Sequence, residues 1–183
     1  MKNKVFLLLI LILISCKVKP KLDNVNINKT KFELNKIKIS DIEKIEIENK
    51  GIEIFKSYNI SLSKEYFPEI ENYKFDQPKI YVRDTLNMET TVSYFFTKKD
   101  SVVRLIEYSW NQNRKKKLFI DNLYKFNKIN ISKKIHQNGN EISQKIDGYW
   151  QKEIKWDNDS IHIFSFIFGI EKGQRTRVIV RYK

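Results

Sequence analysis

Residues 88–110, METTVSYFFTKKDSVVRLIEYSW, contain two runs of alternating side chains on either side of a polar turn. The residues of one face, starting slightly upstream, are Leu86, Met88, Thr90, Val92, Tyr94 and Phe96, and those between them are Asn87, Glu89, Thr91 and Ser93. Strict alternation is typical of a strand with one buried face. Lys98 to Ser101 forms the turn, and residues 102–110 return as the partner strand. The stretch therefore predicts an antiparallel hairpin.

A second group of strands is predicted near the end of the chain. Residues 160–170, SIHIFSFIFGI, are apolar on both faces, which is typical of a central strand covered on both sides. The residues expected to alternate in the flanking strands are Trp150, Ile154 and Trp156 before it, and Thr176, Val178, Val180 and Tyr182 after it. These runs predict a three-stranded meander.

The segment between the two groups has a different period. From Lys115 onward, Phe119, Leu123, Phe126 and Ile129 recur three or four residues apart, and Asn138-Gly139 is a stop signal. This spacing predicts a helix with its lysines facing outward. Upstream, residues 45–54 alternate around Asn49-Lys50-Gly51 and predict a further hairpin. The predicted fold is α+β, an antiparallel sheet with one main helix packed on one face.

The first 15 residues do not belong to this fold. Two lysines precede the apolar run Val5 to Ile14, which is shorter than the roughly 20 residues that span a bilayer. A positive start, a short apolar stretch and a small residue at its end are typical of an export signal. The alternatives are an uncleaved signal anchor and a secretory leader with an idle thiol.

The end of the leader, Leu13-Ile14-Ser15-Cys16, resembles the lipobox of bacterial lipoproteins. The resemblance covers residues 1–16 and implies cleavage between Ser15 and Cys16, with a diacylglyceryl group on the Cys16 sulfur. It also implies a lipid anchor in the cell envelope. Because Lys17 replaces the acidic residue associated with inner-membrane retention, the outer membrane is expected, facing either the periplasm or the outside. No family resemblance is found for residues 17–183.

These signals divide the chain into a signal peptide at 1–15, a lipidated cysteine with a flexible tether at 16–31, and one domain at 32–183. Residues 17–31, KVKPKLDNVNINKTK, are polar and lack a periodic apolar face, which is typical of a linker. The mature domain contains no cysteine, so neither a disulfide nor a thiolate zinc site can hold it together.

The chain is basic, with a formal net charge of +13, and loss of the leader lysines leaves +11. Acidic residues are concentrated at 40–71 and basic residues at 111–135. The candidate anion-binding residues are Arg114, Lys115, Lys116, Lys117, Arg175, Arg177 and Arg181. If they share one side of the fold, they would attract an acidic protein, glycan or anionic surface. The alternative is an ordinary solvated basic surface, and nucleic acid is not expected as a partner in the envelope.

Residues typical of cofactor or metal chemistry are scarce. His136 lies at the predicted helix end, where a helix dipole favours a partly cationic ring, and His162 lies in the apolar strand. Neither has metal-ligand spacing, and the five glycines form no phosphate-binding or dinucleotide-binding motif. We expect no cofactor and no metal site.

Two other groups allow a functional or a structural interpretation. Asp157 and Asp159 raise the possibility of carboxylate catalysis or a calcium turn, but Asp-Asn-Asp-Ser between strands is ordinary turn chemistry. Trp110, Trp150 and Trp156 would suit a stacking platform, but aromatic residues at strand spacing usually pack in a core. The structural interpretation is preferred for both.

Two functions from different classes remain. The first is a non-catalytic envelope lipoprotein that acts as a binding module, of which an immunity or inhibitor protein is a variant. The second is a small hydrolase of envelope or extracellular polysaccharide that uses two carboxylates, which no local spacing encodes. The missing catalytic motifs favour the first.

Overall fold

The fold is dominated by an antiparallel β-sheet, which has eight strands and two flanking helices among the described residues. The computed structural model describes residues 30–56, 64, 66–85, 88–111, 117–146, 149–169 and 174–183. The helices are α1 (Ile39–Asn49) and α2 (Lys117–Ile135), with a short 3-10 turn at Ile70–Asn72. The strands are β1 (Ile52–Ile54), β2 (Lys79–Thr85), β3 (Met88–Phe96), β4 (Val103–Asn111), β5 (Asn140–Ile146), β6 (Tyr149–Asp157), β7 (Ile161–Gly169) and β8 (Arg175–Tyr182).

The sheet consists of two meanders joined at a central seam. The strand order is β1-β2-β3-β4-β8-β7-β6-β5, so each half runs in chain order and β4 pairs with β8. Across that seam Ile106 lies opposite Val180 and Tyr108 opposite Val178. The α+β class is consistent with this architecture, although two helices are present where one was predicted.

The β3–β4 hairpin is confirmed. Thr90 lies opposite Trp110 and Tyr94 opposite Ile106, and the predicted turn closes with Ser101 at a φ of 56°. Val92, Tyr94 and Ile106 are fully buried on one face, as the alternation predicted, but Phe95 and Leu105 on the other face are fully buried as well. Leu86 and Asn87, at the start of the predicted run, lie outside the described residues.

The prediction of a central strand at β7 is also confirmed. It lies between β8 and β6, and its residues are buried or half-buried throughout. Ile163 and Ile167 face the helices, whereas Phe164 and Phe166 belong to a second cluster on the opposite face. That second cluster is covered by Phe67, with Tyr66, Ile70, Tyr73 and Phe75 packed around it.

Helix α2 forms where the sequence predicted it, but its buried face is rotated. Ile120, Leu123, Tyr124 and Ile131 belong to the core, and Asn127 is fully buried between them. Ile129, predicted to face inward, is 66% exposed. The apolar residues of the sequence predict a different inner face because Asn127, a polar residue, occupies an inner position in this helix.

The hairpin predicted at 45–54 is wrong, because residues 39–49 form α1. Asp41 accepts a hydrogen bond from the Lys38 backbone N–H at 2.8 Å at the start of the helix. At its end Lys50 takes a left-handed conformation, and the Gly51 N–H donates to the Glu46 carbonyl at 2.8 Å. Ile52–Ile54 is extended as predicted, but it pairs with β2.

A segment before α1 fastens the domain across the seam, and we call residues 30–38 the N-terminal strap. Phe32 packs edge-on against Tyr108, with ring centroids 5.0 Å apart. The Glu33 N–H donates to the Tyr108 hydroxyl, and the Tyr182 hydroxyl donates to the Glu33 carbonyl, both at 2.9 Å. The strap therefore contacts both β4 and β8.

Candidate functional site

The residues predicted for cleavage and lipid attachment, Ser15 and Cys16, lie outside the described part of the chain. The candidate anion-binding residues Arg114, Lys115 and Lys116 lie outside it as well. Lys117 begins α2, but its side chain is not described. Among the described residues, neither helix is long and apolar enough to cross a bilayer.

The three arginines of β8 share one face of the sheet. Arg175, Arg177 and Arg181 alternate with Thr176, Val178, Val180 and Tyr182, which face α2. The exposed lysines of α2, namely Lys125, Lys133 and Lys134, therefore lie over the other face. The structure does not bring those lysines together with the arginines.

Two of the arginines already have partners within the chain. The Arg177 Nε lies 3.6 Å from a Glu107 oxygen, and its guanidinium is 5.4 Å from the Phe168 ring centroid. The Arg181 guanidinium lies 5.7 Å from the Phe67 ring centroid. Burial raises the pKa of Glu107, and the charge of Arg177 partly opposes this effect. Arg175 is the exposed member of the set.

The histidines and the aspartate turn have structural surroundings. His136 ends α2 in a left-handed conformation, with a φ of 54°. The Nδ1 of His162 lies 3.0 Å from an Asp157 oxygen, and burial lowers the pKa of His162. The hydrogen bond from Lys183 lowers the pKa of Asp157. Asn158 Oδ1 accepts the Ser160 and Ile161 amides at 2.9 and 3.0 Å, which confirms the prediction of an ordinary turn.

Two of the tryptophans pack in the core, as preferred from the sequence. Trp110 is fully buried and Trp156 nearly so, and both belong to the cluster between the sheet and the helices. The Trp156 Nε1 donates to the Ser132 hydroxyl at 3.1 Å. The side chain of Trp150 lies outside the described residues.

Buried carboxylates on the face opposite α2 are too far apart for a glycosidase pair. Glu107 is on β4 and Glu153 on β6, with β8 and β7 between them. Three strand spacings correspond to about 14 Å, whereas paired catalytic carboxylates are about 5–10 Å apart. In the part of the chain that the structure describes, no three histidine, cysteine, aspartate or glutamate side chains are grouped as a metal site requires.

An ion pair that the sequence did not predict connects α1 to the sheet. Arg83 on β2 donates from Nε to Glu46 Oε2 at 2.9 Å and from Nη2 to Glu46 Oε1 at 2.6 Å, and the Tyr94 hydroxyl donates to the same carboxylate. The Arg83 and Glu46 side chains are 3% and 2% exposed. Burial is the largest single effect and lowers the pKa of Arg83, but the hydrogen bond to Glu46 and the electrostatic interactions with Tyr108, Tyr94 and Glu46 together outweigh it and raise the pKa.

Gly51 is required by this ion pair. A Cβ at that position would lie 2.0 Å from the Glu46 Oε2. The glycine therefore lets the chain pass the carboxylate closely as it leaves α1 and enters β1.

Beside the ion pair, the turn from α1 into β1 forms a surface that we call the α1–β1 corner, consisting of Ile47, Ile52, Glu53, Ile54 and Phe55. Ile47 and Ile52 are each 71% exposed, and Phe55 is 96% exposed. Ile47 lies on the α1 side of the sheet and Ile52 on the other side, so apolar side chains are exposed on both sides of the β1 edge. Several large apolar side chains exposed at one edge indicate a surface that contacts another molecule. The corner is therefore the strongest candidate for a binding site in the described structure.

Two cavities flank the corner, and Glu53 and Lys79 line both of them. The larger, about 810 Å³, is lined by the apolar residues Ile54, Phe55, Pro78, Ile80 and Phe96 and by the polar residues Lys56, Asp76 and Gln77. The smaller, about 320 Å³, is lined by Glu43, Glu46, Ile47, Gly51, Glu53, Lys79 and Tyr81. The larger cavity thus has a mixed lining, and the smaller is bordered by three carboxylates.

The carboxylates make the electrostatic potential of the smaller cavity negative. The pKa of Tyr81 is raised to about 12, first by burial and then by the charges of Glu53, Glu46 and Glu43. Lys79 partly offsets them, with its ammonium 3.6 Å from Glu53. In a strongly basic chain, this corner is a local exception.

The sequence contained a weak signal for the corner. Acidic residues are concentrated at 40–71, but the alternation around Gly51 predicts two strands, and no helical period is evident where α1 forms. The partner of Glu46 lies 37 residues further along the chain, so no local pattern shows the ion pair.

No protein-family model matches the chain, and no curated protein or solved structure matches it either. The function is therefore argued from the geometry of the chain itself.

Proposed function

We propose that the protein is a membrane-anchored envelope lipoprotein whose domain is a non-catalytic binding module. The lipobox at Leu13 to Cys16 supports the anchor, and the outer membrane is the proposed location because Lys17 follows the cysteine. In this proposal α2 is the main helix covering one face of the sheet, and the α1–β1 corner, at the β1 edge of the sheet, binds a partner.

The observation that carries the binding proposal is the exposure of the α1–β1 corner. Leaving Ile47, Ile52 and Phe55 in water is unfavourable, since burying such a side chain contributes about 1.5–3 kcal/mol. A partner that covers them would gain part of this free energy. The basic residues Arg114 to Lys117 and Arg175 are also proposed to bind anionic groups, as the charge of the chain indicates.

The anchor is tested by Cys16→Ser. We expect the variant to lose acyl labelling and to keep residues 1–15, because the cysteine is both the lipid acceptor and the cleavage position in lipoproteins. Labelling and mass spectrometry of the full chain measure both effects. Unchanged labelling would exclude the anchor.

The binding module is tested by photo-crosslinking in cells that carry the full lipidated chain. A photoreactive residue at position 55 should give one discrete adduct that Ile52→Ser abolishes. The matched control places the same residue at Ile129, which is also exposed but lies on α2. An equal adduct pattern at both positions would contradict the proposal.

The competing hydrolase is tested by replacing each Asp or Glu singly with its amide and measuring glycan turnover. The binding module predicts no turnover that depends on one carboxyl group. A single acid that is essential for turnover, in a variant that remains folded, would establish the hydrolase instead.

A further inference from the structure

The α1–β1 corner has two different sides, because successive residues of β1 point to opposite faces of the sheet. Glu53 lies opposite Tyr81, on the side of α1 and of the cavity bordered by carboxylates. Ile52 and Ile54 lie opposite Val82 and Ile80, on the other face. The larger cavity is lined by Ile54 and Ile80 of this second side and also by Glu53 and Lys79.

β1 is also the outermost strand of its half of the sheet. It pairs with β2, and no described strand pairs with its outer edge. Such an edge presents backbone N–H and C=O groups that accept another extended chain.

The opposite edge of the sheet is better protected. β5 is longer, but Asn140 to Gln144 are exposed and mostly polar. Glu141 is bound by the Lys128 ammonium at 2.5 Å, and the Tyr124 hydroxyl lies 3.5 Å away. The carboxylate of β5 is neutralised at close range by Lys128, whereas the smaller cavity beside β1 is bordered by Glu43 as well as Glu53, so β1 is the better acceptor for a strand that carries cationic side chains.

We propose that β1 accepts an extended segment of a partner protein as a ninth strand, and that this segment alternates cationic and apolar side chains. The inference rests on the proposed function and specifies its partner. Cationic side chains of the added strand would point toward Glu43 and Glu53. Apolar side chains between them would point toward Ile52 and Ile54.

The charge preference distinguishes this proposal from nonspecific attraction. The mature chain carries +11, so its overall field attracts acidic peptides and repels basic ones. Preference for a basic peptide would therefore have to come from a local surface. The corner supplies one in Glu43 and Glu53, since Glu46 is already paired with Arg83.

The test measures binding of labelled heptapeptides to the full-length chain in nonionic detergent by fluorescence anisotropy. The probes are a peptide of alternating valine and lysine, its valine and glutamate counterpart, and a peptide of the first composition with its lysines clustered. We expect the alternating basic peptide to bind at least tenfold more tightly than either control. Equal or tighter binding of a control peptide would overturn the inference.

Variants of the chain locate the binding. Combined Glu43→Gln and Glu53→Gln should weaken it about fivefold to tenfold, as expected for the loss of two partly exposed ion pairs. Glu48→Gln also removes one charge from α1 but borders neither cavity, so it is the matched control for Glu43→Gln alone, and it should leave binding unchanged. Equal effects of the two changes would mean that the corner is not the site.

Backbone pairing is tested on the peptide, so that the fold of the chain is not disturbed. N-methylation of alternate residues blocks one edge of an extended peptide. N-methylation of one of the two sets of alternate residues should abolish binding, and N-methylation of the other set should preserve it. Retention of binding by both methylated peptides would exclude strand addition.

The outcomes separate this inference from the proposed function. If position 55 crosslinks a partner in cells but the basic peptide binds no better than the acidic one, the partner chemistry is wrong and the binding module stands. If the adduct has twice the mass of the chain, the occupant is a second copy and the inference is overturned. If neither the crosslink nor the peptide preference is found, both proposals fail.

Discussion

Arg83 illustrates, at the scale of one residue, how a buried charge determines the position of an entire helix. Its guanidinium has bidentate hydrogen bonds to Glu46 and lies 5.8 Å from the ring centroid of Tyr108. Removing one partner of such a pair leaves an uncompensated charge in the interior. The pair therefore specifies where α1 docks more than it adds to stability.

This role predicts that the effects of replacing Arg83 and Glu46 on the free energy of unfolding are strongly non-additive. Arg83→Met should lower the free energy of unfolding by about 3–5 kcal/mol, because the carboxylate of Glu46 would remain buried without its partner. The double variant with Glu46→Leu should recover most of that loss, since both charges are then absent. Urea denaturation of the single and double variants measures the difference. A double variant no more stable than Arg83→Met would contradict this account.

At the scale of elements, strands whose sequence alternates were predictable. In β3, β4 and β8 the residues of one face pack beneath the helices, and Phe95, Leu105 and Ile179 of the other face are buried in the second cluster. β5 escaped prediction because its sequence, NEISQKI, contains two apolar residues and lies at an exposed edge. α1 escaped because one of its two buried positions is Glu46, which is stabilised by a residue on β2.

The rotation of α2 predicts a clear contrast between two apolar residues. Leu123→Ala should cost about 2–5 kcal/mol, since the side chain is fully buried and its loss leaves a cavity. Ile129→Ala should change stability by about 0.5 kcal/mol or less, because that side chain is mostly in water. Thermal or urea unfolding tests both. Similar costs for the two variants would mean that the helix faces the sheet as the sequence first indicated.

At the scale of the whole molecule, the β4–β8 seam joins two meanders that are local in sequence. Ile106 and Val180 are fully buried where they meet, and the same core cluster includes residues of both halves. The α1–β1 corner lies at one end of the sheet, four strands from β8. Binding there would leave the seam undisturbed.

The seam predicts that the two halves unfold together. Val180→Ala should lower the free energy of unfolding by about 2 kcal/mol. Hydrogen exchange of the amides that exchange only when the whole domain unfolds should then be faster by a factor of about 30. Amides of β2 and of β6 should accelerate equally, as measured by hydrogen exchange. Acceleration confined to one half would show two independent units.

The N-terminal strap also determines how the domain responds to force. Tension applied to the chain ahead of residue 30 reaches the packing of Phe32 on Tyr108 and the two hydrogen bonds of Glu33 before it reaches any strand. Because these contacts attach to β4 and β8, the load is shared by the two central strands and does not peel an edge. Force transmitted through a tether at this end would therefore act on the two central strands. In contrast, β1 is held to β2 by three residue pairs and would separate first if the domain were pulled from the opposite side.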